Sequence, residues 1–271
     1  MAKKAFCVGI NDYPFGTAND LRGCVNDAEA WAAMLKDHFD FTDIKLMKDS
    51  EATRSNMIAG IENLLAGASS GDVLVFTNSS HGTYEADDDE DEPGYDEAIC
   101  PYDTDSNLLL DDKLRELFSG IPSGVQLTVI SDSCHSGSVT RVISRREPDR
   151  RRHRMLPPEI WGGRTLTEGQ MQEAVEKKKK NPDKYPESGM KEILLSGCKS
   201  NQTSADARIT AVNAFYGAMS YYAMETIKNA DYKLTYAQLR DRLLPVLEAQ
   251  NYDQVPQLEG TDANKQRQIF T

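Results

Sequence analysis

No CxxC pair occurs in the chain, and its five cysteines (Cys7, Cys24, Cys100, Cys134, Cys198) are odd in number and widely spread. That spacing supports neither a disulfide framework nor a zinc site and leaves free thiols. No glycine-rich loop follows the first apolar run, where "GINDYPFGTAND" stands, so the phosphate-binding fingerprint of a nucleotide-binding doubly wound domain is missing. The opening "MAKKAFCVGIND" carries two lysines but only a short apolar stretch. It is too short for a secretory h-region or a membrane span, and predicts a cytoplasmic protein with no membrane partner. No internal repeat is evident. Negative charge outweighs positive, with 43 Asp and Glu against 31 Lys and Arg and a net charge of −12. The one arginine-rich run lacks interleaved aromatics, so a nucleic-acid partner is not expected.

What the chain does have is 39% apolar residues over 271, enough to bury a sizeable core. Its charge is segregated. Glu85 to Glu97 is strongly acidic, whereas Arg141 to Arg154 holds seven arginines against two acids. The first half alternates strand-like and helix-like stretches, the pattern of a mostly parallel sheet with helices on both faces. Ala5 to Ile10 reads as a buried strand, and Leu21, Cys24, Ala28, Trp31 and Leu35 recur at helical spacing. Thr53 suits a helix cap ahead of Met57, Ile61 and Leu64, and Asp111 a cap ahead of Leu114 and Leu117. Residues 141–190, rich in Arg, Lys, Pro and Gly, read as a long exposed loop with a helical piece around Thr167 to Lys179. Order returns at "EILLS", followed by helices over Phe215 to Lys228 and Thr235 to Glu248, the second kinked or shortened by Pro245. "RQIFT" reads as a last strand. The expected fold class is α/β, a single domain with an interruption in mid-chain.

Two strands end in chemistry-bearing residues. Val73 to Thr77 runs into Ser79, Ser80, His81 and Gly82, and Leu127 to Ile130 runs into Asp132, Ser133, Cys134 and His135. In open parallel sheets, residues just beyond the carboxyl ends of adjacent strands converge. His135 is poorly placed as a base for Cys134, because consecutive side chains of an extended segment diverge. His81, about 50 residues earlier, is the expected partner. An imidazole there lowers the thiol pKa and protonates a leaving amine, while the backbone N–H groups of Gly82 and Cys134 form an oxyanion site. The plain alternative is a buried core thiol and a loop histidine.

These stretches resemble the metacaspases and the bacterial caspase-like peptidases of the caspase-hemoglobinase fold. The resemblance is carried by "FCVGINDY", "LRGCVNDA", "SSHGT", "GYDEAICPYD", "LLLDDKLRE", "SDSCHSG" and "ILLSGCKSNQTSADA". Ser80 stands where the family usually has Gly before its histidine. The resemblance implies a cysteine endopeptidase that cuts after Arg or Lys, with Asp27, Asp132 and Ser79 forming an acidic pocket for the basic side chain. It divides the domain into a large-subunit-like part, 1–140, the basic loop 141–190, and a small-subunit-like part, 191–271. An Arg-specific enzyme with a basic loop offers itself bonds to cut, at Arg141, Arg145, Arg146, Arg152 or Lys180. The resemblance also implies a calcium site at Asp96, Asp111 and Asp112. Against it, Arg141 falls where the family often has another acid. Protein or peptide substrates and a monomeric state are further implications, with cell death or antiphage defence through a pore-forming effector among the family's roles. The competing reading is an inactive caspase-like scaffold that binds partners without cutting.

Overall fold

The computed structural model describes residues 1–86, 94–105, 107–134, 151–180, 189–199 and 202–271. In chain order the elements are β1 (Lys3–Gly9), α1 (Cys24–Phe39), β2 (Asp43–Lys48), α2 (Arg54–Leu65), β3 (Val73–Ser79), β4 (Gly82–Glu85) and β5 (Asp96–Ile99). There follow β6 (Leu109–Leu110), α3 (Asp111–Ser119), β7 (Gln126–Asp132), β8 (Arg151–His153), α4 (Pro158–Trp161) and α5 (Glu168–Lys180). The last group is β9 (Ile193–Ser196), β10 (Ala205–Ile209), β11 (Ala214–Gly217), α6 (Ala218–Asn229), α7 (Tyr236–Ala249), β12 (Gln257–Glu259) and α8 (Asp262–Lys265).

Six strands form the central sheet in the order β12-β9-β7-β3-β1-β2, all parallel neighbours except the antiparallel edge strand β12. Strand periodicity sorts its side chains into two cores. Ala5, Cys7, Val73 and Val75 join Trp31 of α1 and Met219, Leu239 and Leu243 of α6 and α7 on one face. Phe6, Val8, Leu74 and Phe76 join Met57 and Ile61 of α2 and Phe118 of α3 on the other. The α/β class with covering helices on both faces is therefore what the chain adopts.

Local readings fare unevenly. Thr53 caps α2, its Oγ1 accepting from Asn56 N at 3.3 Å. Asp111 is instead the first residue of α3, whose cap is Leu110. Phe215 and Tyr216 belong to β11, and the helix begins only at Ala218. The helix α7 runs through Pro245 without ending there. The terminal "RQIFT" forms no strand. It buries Ile269 and Phe270 against the first core as a wedge. Two three-stranded sheets, β4-β5-β6 and β11-β10-β8, lie outside the periodic signals and carry the loops that surround the site.

Candidate active site

The parallel register of β3 and β7 pairs Ser79 with Asp132, which sets the residues that follow, Ser80 to Gly82 and Ser133 to Cys134, side by side at the rim of the sheet. α1 brings Asp27 beneath them, and Ser79 Oγ donates to Asp27 Oδ2 at 2.6 Å. A third carboxylate, Asp206 of β10, completes a buried hollow. Each acid is fixed by main-chain donors. Gly217 N reaches both oxygens of Asp27 at 3.0 Å. Ser220 N, in the first turn of α6, reaches Asp132 Oδ2 at 2.9 Å, and Ser204 Oγ reaches Asp132 Oδ1. Arg22 N and Gly23 N each reach Asp206 at 2.9 Å. Gly217 leaves the space the hollow needs, since a Cβ there would collide with Asp132 Oδ2 and the Arg154 guanidinium.

The occupant of that hollow is Arg154. Its Nη1 donates to Ser79 Oγ at 2.6 Å and to the Asp132 carbonyl at 3.0 Å. Its Nη2 donates to Asp27 Oδ2 at 2.7 Å and Asp206 Oδ1 at 3.2 Å, and Asp132 Oδ2 lies 3.4 Å from Nη1. Burial works against this charge, but the surrounding acids outweigh it and hold the guanidinium's pKa well above its ordinary value. Burial pushes the Asp27 carboxyl up to about 7 while Arg154 pulls it down. The main chain of Arg154 is held as firmly. Its carbonyl accepts from Gly82 N at 2.9 Å and Cys134 N at 3.1 Å, and its N–H donates to Ser204 O at 3.1 Å. β8 pairs antiparallel with β10, and Leu156 N donates to Gly82 O at 2.9 Å. Residues 151–156 thus lie as an added strand, the mode in which extended peptides dock on a sheet edge.

His81 Nε2 lies 2.7 Å from the carbonyl of Asn19, an acceptor, so the neutral ring carries its proton there. Nδ1 is left buried and without a hydrogen-bond partner, free to take a proton. Burial pushes the imidazole pKa down to about 4, partly offset by its contact with Asn19. Cys134 Sγ is not hydrogen-bonded to His81. It accepts from Ser204 N at 2.6 Å and approaches Ser204 O at 3.4 Å. The thiol is wholly buried in a cluster with Met155, Leu166, Met171 and Cys198. A hydrogen bond with Cys134 heads the causes that push the Cys198 thiol well above its ordinary pKa.

The structure therefore brings Asp27, Ser79, His81, Gly82, Asp132 and Cys134 together. It does not gather Asp96, Asp111 and Asp112. Asp96 sits in β5 opposite Glu85, while Asp111 and Asp112 both pair with Arg115 on α3. Among the described residues no three His, Cys, Asp or Glu side chains form a metal-binding group. The expectation of an exposed loop over 141–190 fails at Arg154 to Leu156, each less than a tenth exposed, because the acids behind Arg154 and the apolar cluster around Met155 draw the segment in. The candidate cleavage residues Arg141, Arg145 and Arg146 lie outside the described residues, as does the acidic run Asp87 to Asp91. Lys180 ends α5. Arg152 points away from the hollow, to the carbonyls of Thr17 and Asp20. Sequence reasoning missed Arg154 and Asp206. The signals were the apolar "MLPP" that follows Arg154 and the acid within "TSADA".

Among known proteins, the metacaspase, peptidase C14 domain family model matches residues 3–143. Metacaspase-8 of Arabidopsis thaliana is 44% identical over 153 residues, 53% of this chain and 39% of that protein. Metacaspase-1 of Schizosaccharomyces pombe is 31% identical over 290 residues, 94% of this chain and 66% of that protein. The chain thus spans less than two thirds of the length of either relative. The crystal structure of protein GSU0716 from Geobacter sulfurreducens superposes with a TM-score of 0.75 at 27% identity, covering 100% of this chain and 99% of that one. Caspase-1 from Spodoptera frugiperda shares the fold at a TM-score of 0.56 and 12% identity, over 95% of this chain and 86% of that one.

Proposed function

Because the chain belongs to the metacaspase family of C14 peptidases, we propose that it is a cysteine endopeptidase that cuts after arginine and first cuts itself, between Arg154 and Met155. The observation that carries this reading is the double seating of Arg154, its guanidinium among three buried acids and its carbonyl on the N–H groups of Gly82 and Cys134. A carbonyl held by two such donors is polarised where a tetrahedral oxyanion forms. Nδ1 of His81 takes the proton of the Cys134 thiol, and the thiolate adds to the Arg154 carbonyl carbon. The C–N bond to Met155 then breaks, and its nitrogen receives that proton from His81. Water hydrolyses the remaining thioester to an Arg154 carboxylate and regenerates the thiol. The thiol must first turn away from the Ser204 main chain.

Lysine is the weaker substrate on this geometry, since Nη1 and Nη2 each meet a separate pair of acceptors and one ammonium cannot fill both positions. The same contacts explain why the uncut chain is closed to other substrates. Arg154 fills the hollow, and Met155 with Leu166 covers the thiol. No helix of the described residues is long and apolar enough to cross a membrane.

The test is incubation of the purified wild type beside Cys134→Ala, with the fragments read by mass spectrometry and the new amino terminus sequenced. The expected result is a fragment beginning at Met155 in the wild type alone. Equal, intact chains in both samples, or a cut that survives Cys134→Ala, would overturn it. A wild-type chain that stays intact and leaves an Arg-coumarin amide untouched would leave the scaffold reading in its place.

A further inference from the structure

Arg151, three residues ahead of Arg154, rests on a second receptor well away from the carboxylate hollow. Its guanidinium carbon lies 4.3 Å from the centre of the Tyr252 ring. Nη1 donates to the Asn251 carbonyl at 2.8 Å and Nη2 to the Gln250 carbonyl at 3.3 Å. Both carbonyls lie just past the end of α7, where main-chain acceptors lack helical partners and partial negative charge collects. The receptor is built rather than improvised. Tyr252 N is tied to Leu247 O at 3.0 Å, its ring packs on Tyr222 at 5.9 Å, and Tyr222 Oη donates to Gln250 Oε1 at 3.3 Å. The β8-to-β10 register, which pairs Arg151 with Ala207, delivers the side chain to this place whenever an arginine fills the hollow.

We propose that Tyr252 and the Gln250 and Asn251 carbonyls form a substrate subsite for a guanidinium, so that the preferred substrates are proteins carrying Arg-x-x-Arg before the cleaved bond. The inference rests on the peptidase reading above, because it takes residues 151–154 as the stand-in for a substrate. Selection of arginine follows from its planar group, which stacks on the ring while its two ends reach two acceptors, whereas an ammonium is a compact point charge. None of these contacts is to a carboxylate, so the preference depends on shape and stacking more than on net charge.

The test uses the self-processed enzyme and three coumarin amides, Arg-Ala-Ala-Arg, Lys-Ala-Ala-Arg and Ala-Ala-Ala-Arg, each acetylated at its amino end. The expected kcat/KM for the first exceeds that for the third by ~10-fold, as a stacked cation with two charge-assisted hydrogen bonds warrants, and the lysine peptide falls between. Tyr252→Leu brings the Arg-to-Ala ratio down toward one, and Tyr252→Phe, which keeps the ring face, retains it. Equal rates on the Arg and Ala peptides, equal rates on Arg and Lys, or a ratio unchanged in Tyr252→Leu would each overturn the subsite and leave the peptidase standing. A wild-type protein that neither processes itself nor cuts any of the three would overturn the peptidase reading, and the subsite with it, whereas a self-processed enzyme that cuts none of them would overturn the subsite alone.

Discussion

Arg154 and Asp27 show how far one buried charge depends on another. Three carboxylates share the hollow with a single guanidinium, and removing one member of such a group leaves the others uncompensated. In Arg154→Ala the cation that pulls the Asp27 pKa down is gone, so this carboxyl holds its proton to a pH above about 7. An amidinium ligand binds the ionised hollow and must expel that proton. Its affinity therefore rises with pH below the shifted pKa, by up to ~10-fold per unit. We expect calorimetric titration of Arg154→Ala with benzamidine to show binding that strengthens from pH 6 to 8 with proton release, while uncut Cys134→Ala, its hollow filled, binds none. Affinity that falls with rising pH would contradict the assignment. His81, with a pKa pushed down to about 4, stays neutral throughout this range and contributes nothing to the slope.

Among the elements, α7 is where a sequence rule and the tertiary structure disagree. Proline inside a helix removes one main-chain hydrogen bond and crowds the preceding turn, which predicts a kinked or shortened helix at Pro245. The helix nevertheless runs from Tyr236 to Ala249, because Leu239, Leu243 and Leu247 bury one face while Pro245 lies on the exposed side. A capping box between Thr235 and Gln238 also secures its start. Pro245→Ala restores the missing bond, and we expect a gain of about 1–3 kcal/mol. At ~2–4 °C per kcal/mol for a chain of this size class, scanning calorimetry should record a higher Tm. An unchanged or lower Tm would show that the proline's restraint on the unfolded chain outweighs the bond it removes.

At the scale of the molecule, a cut after Arg154 falls between elements that the central sheet interleaves. β7 lies before the cut, yet its parallel neighbour β9 lies after it. Trp31 and Ile130 share a core with Ile193, Met219 and Leu243 from the other side. Separation would expose that core to water, so the nicked protein should stay whole. Gel filtration of processed wild type is expected to give one peak at the volume of uncut Cys134→Ala, with two bands only after denaturation. Two native peaks would mean that the sheet does not hold the halves together.

Much of this was legible along the chain. The strand-end positions of His81 and Cys134, the α/β alternation and the cap at Thr53 are local signals, written in periodicity and in residues only a few positions apart. Asp27, Asp132 and Ser79 came through resemblance, since no local rule links an acid on the first helix with a serine on the third strand. Composition could not reveal that Arg154, the last arginine of a run that reads as exposed, lies fully buried. An arginine enters the interior only where several carboxylates, each already held by main-chain donors, stand within hydrogen-bond reach of both ends of its guanidinium. Those carboxylates come from α1, β7 and β10, segments up to 179 positions apart in the numbering. Chain chemistry determined which residues could serve the proposed reaction, and folding alone decided which arginine lies against them.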